Sequence, residues 1–386
     1  MKFCSSTVLD SDIQGISFDE NGVSNFAQKA SWRLENESFW NSDPTALENL
    51  AEKIRSHGRK SEYDCLIGLS GGVDSSYVAH LVVKLGLKPL ALHVDNGWNT
   101  EIAVSNIEQL VEKLGLDLIT VVLPWREVKD LQRAYIKAGV MDLECVADHA
   151  IGACTYRLAD EYNIKYIVNG GNVANEALLP IHWGFDKRDD LNLKDIHGKN
   201  GSIKLRDFPT QTLFQLGRRL FFNGLKTVPI LNYTPFSKKN ATDLLQSQYG
   251  WKSYGRKHGE NRFTRFYQEI YLPEKFNIDK RKAHLSNQIL NGELSRNEAF
   301  KMLEDNIINI DERRIELKYV AKKLGFSFEE LEAMLVQAGV PHTKYKHYKR
   351  LLNQQSFWVQ FARYLAKGEF KNATISKLFR ATQNRL

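Results

Sequence analysis

A short run of glycines and hydroxyl side chains, residues 70–76, carries the groups of this chain that are best suited to chemistry. Its sequence, Ser-Gly-Gly-Val-Asp-Ser-Ser, lies between an apolar segment (63–69) and a helix-forming segment (77–85). A strand and a helix joined by so small a turn expose backbone N–H groups at the helix N-terminus, where the helix dipole favours an anion. Because glycine lets phosphate oxygens approach closely, the pattern predicts a phosphate-binding loop.

The loop is not a Walker A motif, because no lysine follows its glycines. Its pattern, Ser-Gly-Gly-x-Asp-Ser, resembles the loop of the PP-loop ATP pyrophosphatases, which implies that ATP is cleaved to AMP and pyrophosphate. A tight structural connection is the alternative. The carboxylate of Asp74 suits Mg²⁺, and the hydroxyls suit phosphate oxygens. The residues predicted to bind ATP here are Ser70, Gly71, Gly72, Asp74, Ser75 and Ser76.

A second polar turn, His-Val-Asp-Asn-Gly-Trp at residues 93–98, closes a predicted strand over 88–95. It resembles the Val-Asp-Asn-Gly stretch of PP-loop amidotransferases such as GMP synthetase. We therefore expect His93, Asp95 and Asn96 to meet the adenine or the ribose of ATP. A turn that merely ends the strand is an equally good interpretation, since Asn-Gly is common in turns.

A third turn, residues 170–176, follows a predicted strand over 165–169. It resembles the Gly-x-x-Asn-x-x-Glu turn of NAD synthetases, whose glutamate binds Mg²⁺, although Asn172 lies four residues before Glu176 rather than three. The resemblance implies that Glu176 and Asp74 share the cation that neutralises the leaving pyrophosphate. The capped start of a helix is the alternative. Two more residues are predicted to bind the nucleotide, Gly170 and Gly171.

These turns require a sheet that brings strand ends together. Strands alternate with helices through the middle of the chain, which predicts an α/β fold with a parallel, doubly wound sheet and ligands at the carboxyl ends of its strands. The PP-loop resemblance implies the HUP-like adenine nucleotide alpha hydrolase fold. Strands are predicted at 63–69, 88–95, 117–122, 165–169 and 227–231.

Beyond residue 240 the pattern becomes helical. Ser295 with Glu298, and Ser327 with Glu330, have the spacing of a capping box at the start of a helix. We expect three parts: an N-terminal segment over 1–60, a PP-loop α/β domain over 61–240, and a helical C-terminal domain with a basic tail over 241–386.

The richest polar cluster of the chain consists of Lys257, His258, Glu260, Arg262 and Arg265. Loops that carry such groups together often line sites, and this one suits an anionic nucleotide sugar or the α-phosphate. We predict catalytic roles for the lysine and the histidine, and substrate contacts for the other three. A surface loop held by ion pairs is the alternative.

Segments on both sides of the α/β region resemble the bacterial N-acetyl sugar amidotransferases of surface-polysaccharide biosynthesis. The resemblance covers most of residues 3–340. The segments that carry it are 8–10, 15–20, 22–23, 257–260, 263–264, 279–281 and 284–286.

That resemblance implies an ATP-dependent amination of a UDP-linked N-acetyl sugar, with an acetamido uronic acid as the expected sugar. The amide oxygen attacks the α-phosphate of ATP and expels pyrophosphate. Ammonia then displaces AMP to leave an acetamidino group. ATP and Mg²⁺ are the expected cofactors. A separate glutaminase is the expected ammonia source, because no glutaminase motif is evident.

One feature departs from that family, which usually opens with two Cys-x-x-Cys pairs expected to bind zinc. The corresponding positions are Cys4, Thr7, Ser24 and Ala27. One thiol cannot complete a tetrahedral zinc site, so we predict no structural zinc. Packing through Ile16, Phe18 and Phe26 is expected to hold this segment instead.

The composition of the chain argues against several classes of protein. With 42% hydrophobic and 26% charged residues, the chain is typical of globular proteins, and it has no eighteen-residue apolar run that would predict a membrane span. Residues 1–30 lack the features of a signal peptide. Four cysteines without paired spacing indicate reduced thiols in a cytoplasm.

The net charge of +7 is concentrated in residues 341–386, which hold ten Lys or Arg and one acid. A solvated helical face is favoured over nucleic-acid binding there, so we do not expect nucleic acid as a partner. The alternative function is that of a PP-loop tRNA-modifying enzyme, with Cys145 or Cys154 as sulfur carrier. A non-catalytic scaffold for a glutaminase complex is a third possibility.

Overall fold

The computed structural model describes residues 2–221, 223–254 and 260–350. Lys257, His258 and the chain beyond residue 350 therefore lie outside the described residues. Within the described part, no helix is both long enough and apolar enough to cross a membrane.

Five strands form one parallel sheet, as predicted from the alternating pattern, and their order is β3-β2-β1-β4-β5. The strand order reverses direction at β1, and the carboxyl end of β1 carries the Ser-Gly-Gly turn. In such sheets ligands bind where the order reverses. The strands are β1 (Cys65–Gly68), β2 (Pro89–Asp95), β3 (Asp117–Val122), β4 (Tyr166–Asn169) and β5 (Lys226–Pro229).

Helices cover both faces of the sheet. Before and between the strands these are α1 (Asn25–Glu37), α2 (Phe39–Ser42), α3 (Ala46–Gly58), α4 (Val73–Lys84), α5 (Glu101–Leu114), α6 (Trp125–Ala138), α7 (Cys145–Glu161), α8 (Val173–Glu176), α9 (Asp190–Asn200) and α10 (Leu213–Phe221). After β5 come α11 (Lys238–Tyr249), α12 (Arg262–Phe266), α13 (Leu272–Phe276), α14 (Arg281–Leu290), α15 (Arg296–Glu304), α16 (Ile310–Leu324) and α17 (Phe328–Val336). A π-helical stretch, Tyr267–Tyr271, joins α12 to α13.

Side chains that alternate along each strand enter two different cores, which is why both faces are covered. In β1, Leu66 packs into one core, whereas Cys65 and Ile67 pack into the other. Side chains of α6 and α7 fill the first core, and side chains of α3, α4, α5 and α11 fill the second. The inner strands β1, β2 and β4 are mostly buried and mostly apolar, as is typical of parallel strands covered on both faces, whereas the edge strands β3 and β5 are more exposed.

Local sequence signals fix most helix ends. Both capping boxes form, at Ser295 before α15 and at Ser327 before α17. Gly115 ends α5 and Gly325 ends α16, each with the positive φ that glycine adopts without strain. The predicted helical C-terminal region is confirmed by these elements.

The N-terminal segment packs against helices from the other end of the described chain. Arg296 of α15 donates to the carbonyl oxygens of Cys4 and Thr7 at 2.8 and 2.9 Å. Lys282 of α14 forms an ion pair with the buried carboxylate of Asp10. One apolar core runs through the N-terminal segment, the sheet and the C-terminal helices.

Candidate functional site

The turn between β1 and α4 has the form of a small cradle. Ser75 lies in the first turn of α4, and its hydroxyl accepts a hydrogen bond from the Ser70 amide at 3.2 Å. The same oxygen is 3.0 Å from Ser70 Oγ and 3.1 Å from the Gly72 carbonyl oxygen. These bonds fold the turn back on the helix start. The loop therefore presents its backbone N–H groups at the N-terminus of α4.

Gly71 has a φ of +80°, and no other residue type would fit there. A Cβ atom on Gly71 would lie 2.6 Å from the carbonyl oxygen of Ala103, at the start of α5. The first glycine of the motif is thus required by both backbone conformation and close packing.

The turn after β4 lies against the phosphate loop. A Cβ atom on Gly170 would lie 3.1 Å from the Cβ of Asp74, and one on Gly171 would lie 3.7 Å from Glu176 Oε2. The Cβ of Asp74 and the carboxylate of Glu176 thus lie near adjacent glycines. That these two residues share a cation stays a prediction. The side chain of Asn172 caps α8, so the capped helix start is also present.

The donors at this point suit Mg²⁺. This ion is usually held by one or two carboxylates together with substrate phosphates and water, and not by a complete protein cage. Among the described residues there is no group of three or more His, Cys, Asp or Glu side chains that could hold a metal ion alone. Asp74 and Glu176 would supply the protein ligands, and the ion would neutralise charge on the departing pyrophosphate.

His93 lies at the carboxyl end of β2, beside the phosphate loop. Its Nδ1 donates to the Leu69 carbonyl oxygen at 2.9 Å, and its Nε2 accepts from Asn99 at 3.1 Å. Both ring nitrogens are therefore used to join β1 to the turn after β2. The nucleotide contact of this histidine stays a prediction.

Asp95 and Asn96 build the turn that follows β2. Asp95 Oδ1 accepts from the Gly97 amide at 2.8 Å, and Asn96 Oδ1 accepts from the Trp98 amide at 3.1 Å. The strand-ending turn proposed as an alternative is present. Adenine or ribose contacts of Asp95 and Asn96 stay predictions.

The chain that begins α12 docks on the same turn and brings Glu260 to the loop. The Glu260 carbonyl oxygen accepts from the Thr100 amide at 3.0 Å, and the Arg262 amide donates to the Trp98 carbonyl oxygen at 3.1 Å. A Cβ atom on Gly72 would lie 3.9 Å from Glu260 Oε1. One member of the predicted substrate cluster thus lies beside the phosphate loop.

The two arginines of that cluster are held by the carboxylate of Glu316 in α16. Arg262 donates to both of its oxygens at 3.2 and 2.9 Å, and Arg265 contacts it at 3.4 Å. The Arg262 guanidinium also stacks over the Tyr319 ring at 3.5 Å. The ion-pair arrangement proposed as an alternative is therefore present. Substrate contacts of Arg262 and Arg265 stay predictions, as do the roles of Lys257 and His258.

The four N-terminal positions at which the related family carries cysteines converge in this chain. Cys4, Thr7, Ser24 and Ala27 are all fully buried, and the Ser24 amide donates to Cys4 Sγ at 3.2 Å. Burial alone would raise the pKa of the Cys4 thiol, but hydrogen bonds from Ser24, Ser6 and Thr7 outweigh it and lower the pKa to about 7. One thiol and two hydroxyls suit hydrogen bonding better than zinc. That the protein binds no zinc stays a prediction.

The other cysteines are poor sulfur carriers. Cys145 and Cys154 are buried, and burial raises the pKa of both thiols. A buried thiol that keeps its proton is a poor nucleophile. This tells against the tRNA-thiolating alternative.

Sequence reasoning missed Trp251 and Tyr254, whose side chains both contact the carbonyl oxygen of Gly71. No local sequence pattern predicts these contacts. The one available signal is the position of the two aromatics just before the polar cluster at 257–265.

Two family descriptions match the chain, in two separate regions. Residues 46–178 match the family described as NAD synthase, and residues 260–363 match the one described as LPS biosynthesis protein WbpG-like, C-terminal domain. The first match contains the phosphate loop and the turn with Glu176, and the second begins at Glu260. Together they support the predicted family, a PP-loop amidotransferase in lipopolysaccharide biosynthesis. No curated protein matches the chain.

Several solved structures are weakly similar. A predicted subunit of tRNA methyltransferase from Methanocaldococcus jannaschii is 17% identical, with 47% of this chain and 73% of that chain covered and a TM-score of 0.28. NMN synthetase from Francisella tularensis is 17% identical, with 62% and 92% covered and a TM-score of 0.28. NH3-dependent NAD synthetase from Campylobacter jejuni is 16% identical, with 57% and 83% covered and a TM-score of 0.27. Likenesses this weak support no functional conclusion.

Proposed function

We propose that this protein is an ATP-dependent amidotransferase that converts the acetamido group of a UDP-linked N-acetyl sugar into an acetamidino group. The observation that carries the proposal is the position of Glu260. It is the first residue of the region that matches the lipopolysaccharide-biosynthesis domain, and its carboxylate lies beside Gly72 of the phosphate loop. A sugar bound by that region would meet the α-phosphate of ATP held by the loop.

The reaction has two substitutions. The amide oxygen of the sugar attacks the α-phosphorus, a P–O bond forms, and the bond to the pyrophosphate group breaks. Ammonia then adds to the activated carbon, and the C–O bond to AMP breaks with loss of a proton. The N–H groups of the loop stabilise the negative charge that develops on the leaving pyrophosphate. Asp74 and Glu176 would hold Mg²⁺ at the same point.

The remaining parts of the proposal follow the family resemblance. The sugar is an acetamido uronic acid, and Lys257, His258, Arg262 and Arg265 assist its binding or activation. A partner glutaminase supplies ammonia. The protein acts in the cytoplasm, where nucleotide sugars and ATP are available.

A mass-spectrometric assay tests this function. The full chain is incubated with UDP-linked acetamido uronic acids, ATP, Mg²⁺ and ¹⁵N-ammonium, and products are compared with reactions that lack ATP. We expect a product in which one oxygen is replaced by ¹⁵NH, together with equimolar AMP and pyrophosphate. Pyrophosphate release that depends on tRNA and not on the sugar would contradict the proposal.

A further inference from the structure

The carbonyl oxygen of Gly71, inside the phosphate loop, accepts two side-chain hydrogen bonds. Trp251 donates through Nε1 at 2.9 Å, and Tyr254 donates through its hydroxyl at 2.8 Å. Both donors belong to the segment that follows α11. Two side-chain donors occupy both lone pairs of this carbonyl oxygen.

The Gly71 carbonyl and the Gly72 N–H belong to the same peptide group. In a planar trans peptide these two bonds point in opposite directions, so whatever fixes the oxygen also fixes the N–H. The Gly72 N–H here makes a long hydrogen bond to Ser70 Oγ, at 3.3 Å, which a phosphate oxygen can replace. Because a glycine at positive φ is intrinsically mobile, this peptide group needs an external restraint to hold one orientation.

The two donors are themselves held in place. Asn106 of α5 donates to the Tyr254 hydroxyl at 3.1 Å and to the Lys252 carbonyl oxygen at 2.9 Å. Its own Oδ1 accepts from the Lys252 amide at 2.8 Å. The indole of Trp251 is 5% exposed and meets the Tyr254 ring edge-on, with 5.7 Å between centroids. A hydrogen-bond chain therefore runs from Asn106 through Tyr254 to Gly71.

The phenol remains a donor at physiological pH. Burial raises the pKa of Tyr254 to about 12, and the nearby carboxylate of Glu260 acts in the same direction. Tryptophan has no acceptor on its indole nitrogen, so this N–H can only donate.

We propose that Trp251 and Tyr254 are positioning residues of the phosphate loop, which hold the Gly71–Gly72 peptide group so that the Gly72 N–H faces the pyrophosphate portion of ATP. The identity of that anion rests on the proposed function. We call the two hydrogen bonds from Trp251 and Tyr254 to the Gly71 carbonyl oxygen the clamp. The clamp joins the loop to the chain that leads towards the C-terminal helices. The orientation of an anion-binding N–H therefore depends on how that chain is docked.

Removal of each donor gives the first test. Either donor alone can hold the carbonyl, so Trp251→Phe and Tyr254→Phe should each weaken binding of inorganic pyrophosphate and of ATP about threefold. The double variant should weaken binding about thirtyfold or more, beyond the product of the single effects. Tyr249→Phe is the matched control, because its hydroxyl contacts His80 at 2.7 Å and not the loop.

Backbone NMR gives a readout that does not depend on activity. The sequence contains two Gly-Gly pairs, 71–72 and 170–171. We label only the glycines, with ¹³C at the carbonyl carbon and ¹⁵N at the amide nitrogen. Correlations between a labelled carbonyl and the next labelled amide then arise from those two peptide groups alone. Loss of hydrogen bonds to the Gly71 oxygen should move the 71–72 carbonyl signal upfield in both single variants and further in the double variant. The signal of 170–171 should stay in place.

The outcomes separate the two proposals. An unmoved 71–72 signal in a folded double variant that binds pyrophosphate like the wild type would overturn the clamp. A moved signal in a protein whose wild type binds neither pyrophosphate nor ATP would support the peptide clamp and overturn the proposed function. If the double variant does not fold, the single variants still test the clamp, because each removes one of the two donors.

Discussion

At the scale of single residues, the candidate site is defined by backbone geometry as much as by side chains. Gly71 is required because its positive φ and its contact with Ala103 leave no room for a Cβ atom. The turn that contains Gly170 lies against Asp74, because a glycine there leaves room for the Asp74 side chain and backbone. Small residues therefore determine how closely the two turns approach each other.

Asp74 gives the most direct prediction at this scale. The change Asp74→Asn removes a charge but keeps the size of the side chain, so the fold should be retained. We expect the rate of acetamidino-sugar formation to fall about a hundredfold or more, because a metal ligand that offsets the leaving-group charge is lost. The rate is measured by the mass-spectrometric assay. Asp243→Asn, at an exposed position on α11, is the control. Full turnover by the Asp74 variant would remove this residue from the metal site.

At the scale of helices and strands, much of the structure follows from short-range signals. The sequence predicts β3 to the residue, and it predicts both capping boxes, because these depend on neighbouring residues alone. The Ser-Gly-Gly turn is predictable for the same reason. The contacts of Trp251 and Tyr254 with Gly71, and of Glu316 with Arg262, join residues far apart in sequence. No periodicity or spacing encodes such pairs.

Glu316 joins α12 to α16, which gives a prediction about these elements. Its side chain is 1% exposed and faces two arginines. Glu316→Gln would leave both guanidinium groups without their buried counter-charge. We expect the free energy of unfolding to fall by about 2–4 kcal/mol, as measured by urea denaturation. Glu312→Gln is the control, because this partner of Arg265 is 39% exposed and its loss should cost less than about 1 kcal/mol. Equal losses in the two variants would refute this assignment.

At the scale of the whole molecule, the last described residues return to the α/β region. The Val340 amide donates to the Gly139 carbonyl oxygen at 2.8 Å, and the His342 ring stacks on Phe185 with 4.4 Å between centroids. His342 Nε2 accepts from the Asp142 amide at 3.1 Å. Residues 340 and 342 thus contact the region of the chain that carries the phosphate loop.

The contacts of His342 with the α/β region should weaken in acid. Burial lowers the pKa of His342 from 6.5 to about 4, so the histidine is neutral in the folded protein. The unfolded chain binds more protons between these values. The contribution of His342 to stability is therefore complete above pH 6.5 and is lost as the pH falls towards 4, by about 3 kcal/mol at most.

The test compares urea denaturation of wild type and His342→Gln at pH 7 and at pH 4.5. The wild type should lose more stability than the variant across this range, because glutamine does not titrate. His57→Gln, at an exposed position in α3, should behave like the wild type. Parallel pH dependences for wild type and the His342 variant would show that this residue does not contribute.

The central claim is that the cradle between β1 and α4 holds the triphosphate of ATP. A crystal structure with Mg²⁺ and α,β-methylene-ATP, which resists cleavage at the α–β bond, tests it most directly. We predict that the β- and γ-phosphates lie against the N–H groups of residues 71–74, with the cation between them and Asp74. A triphosphate bound elsewhere, with this turn left empty or closed, would contradict the account.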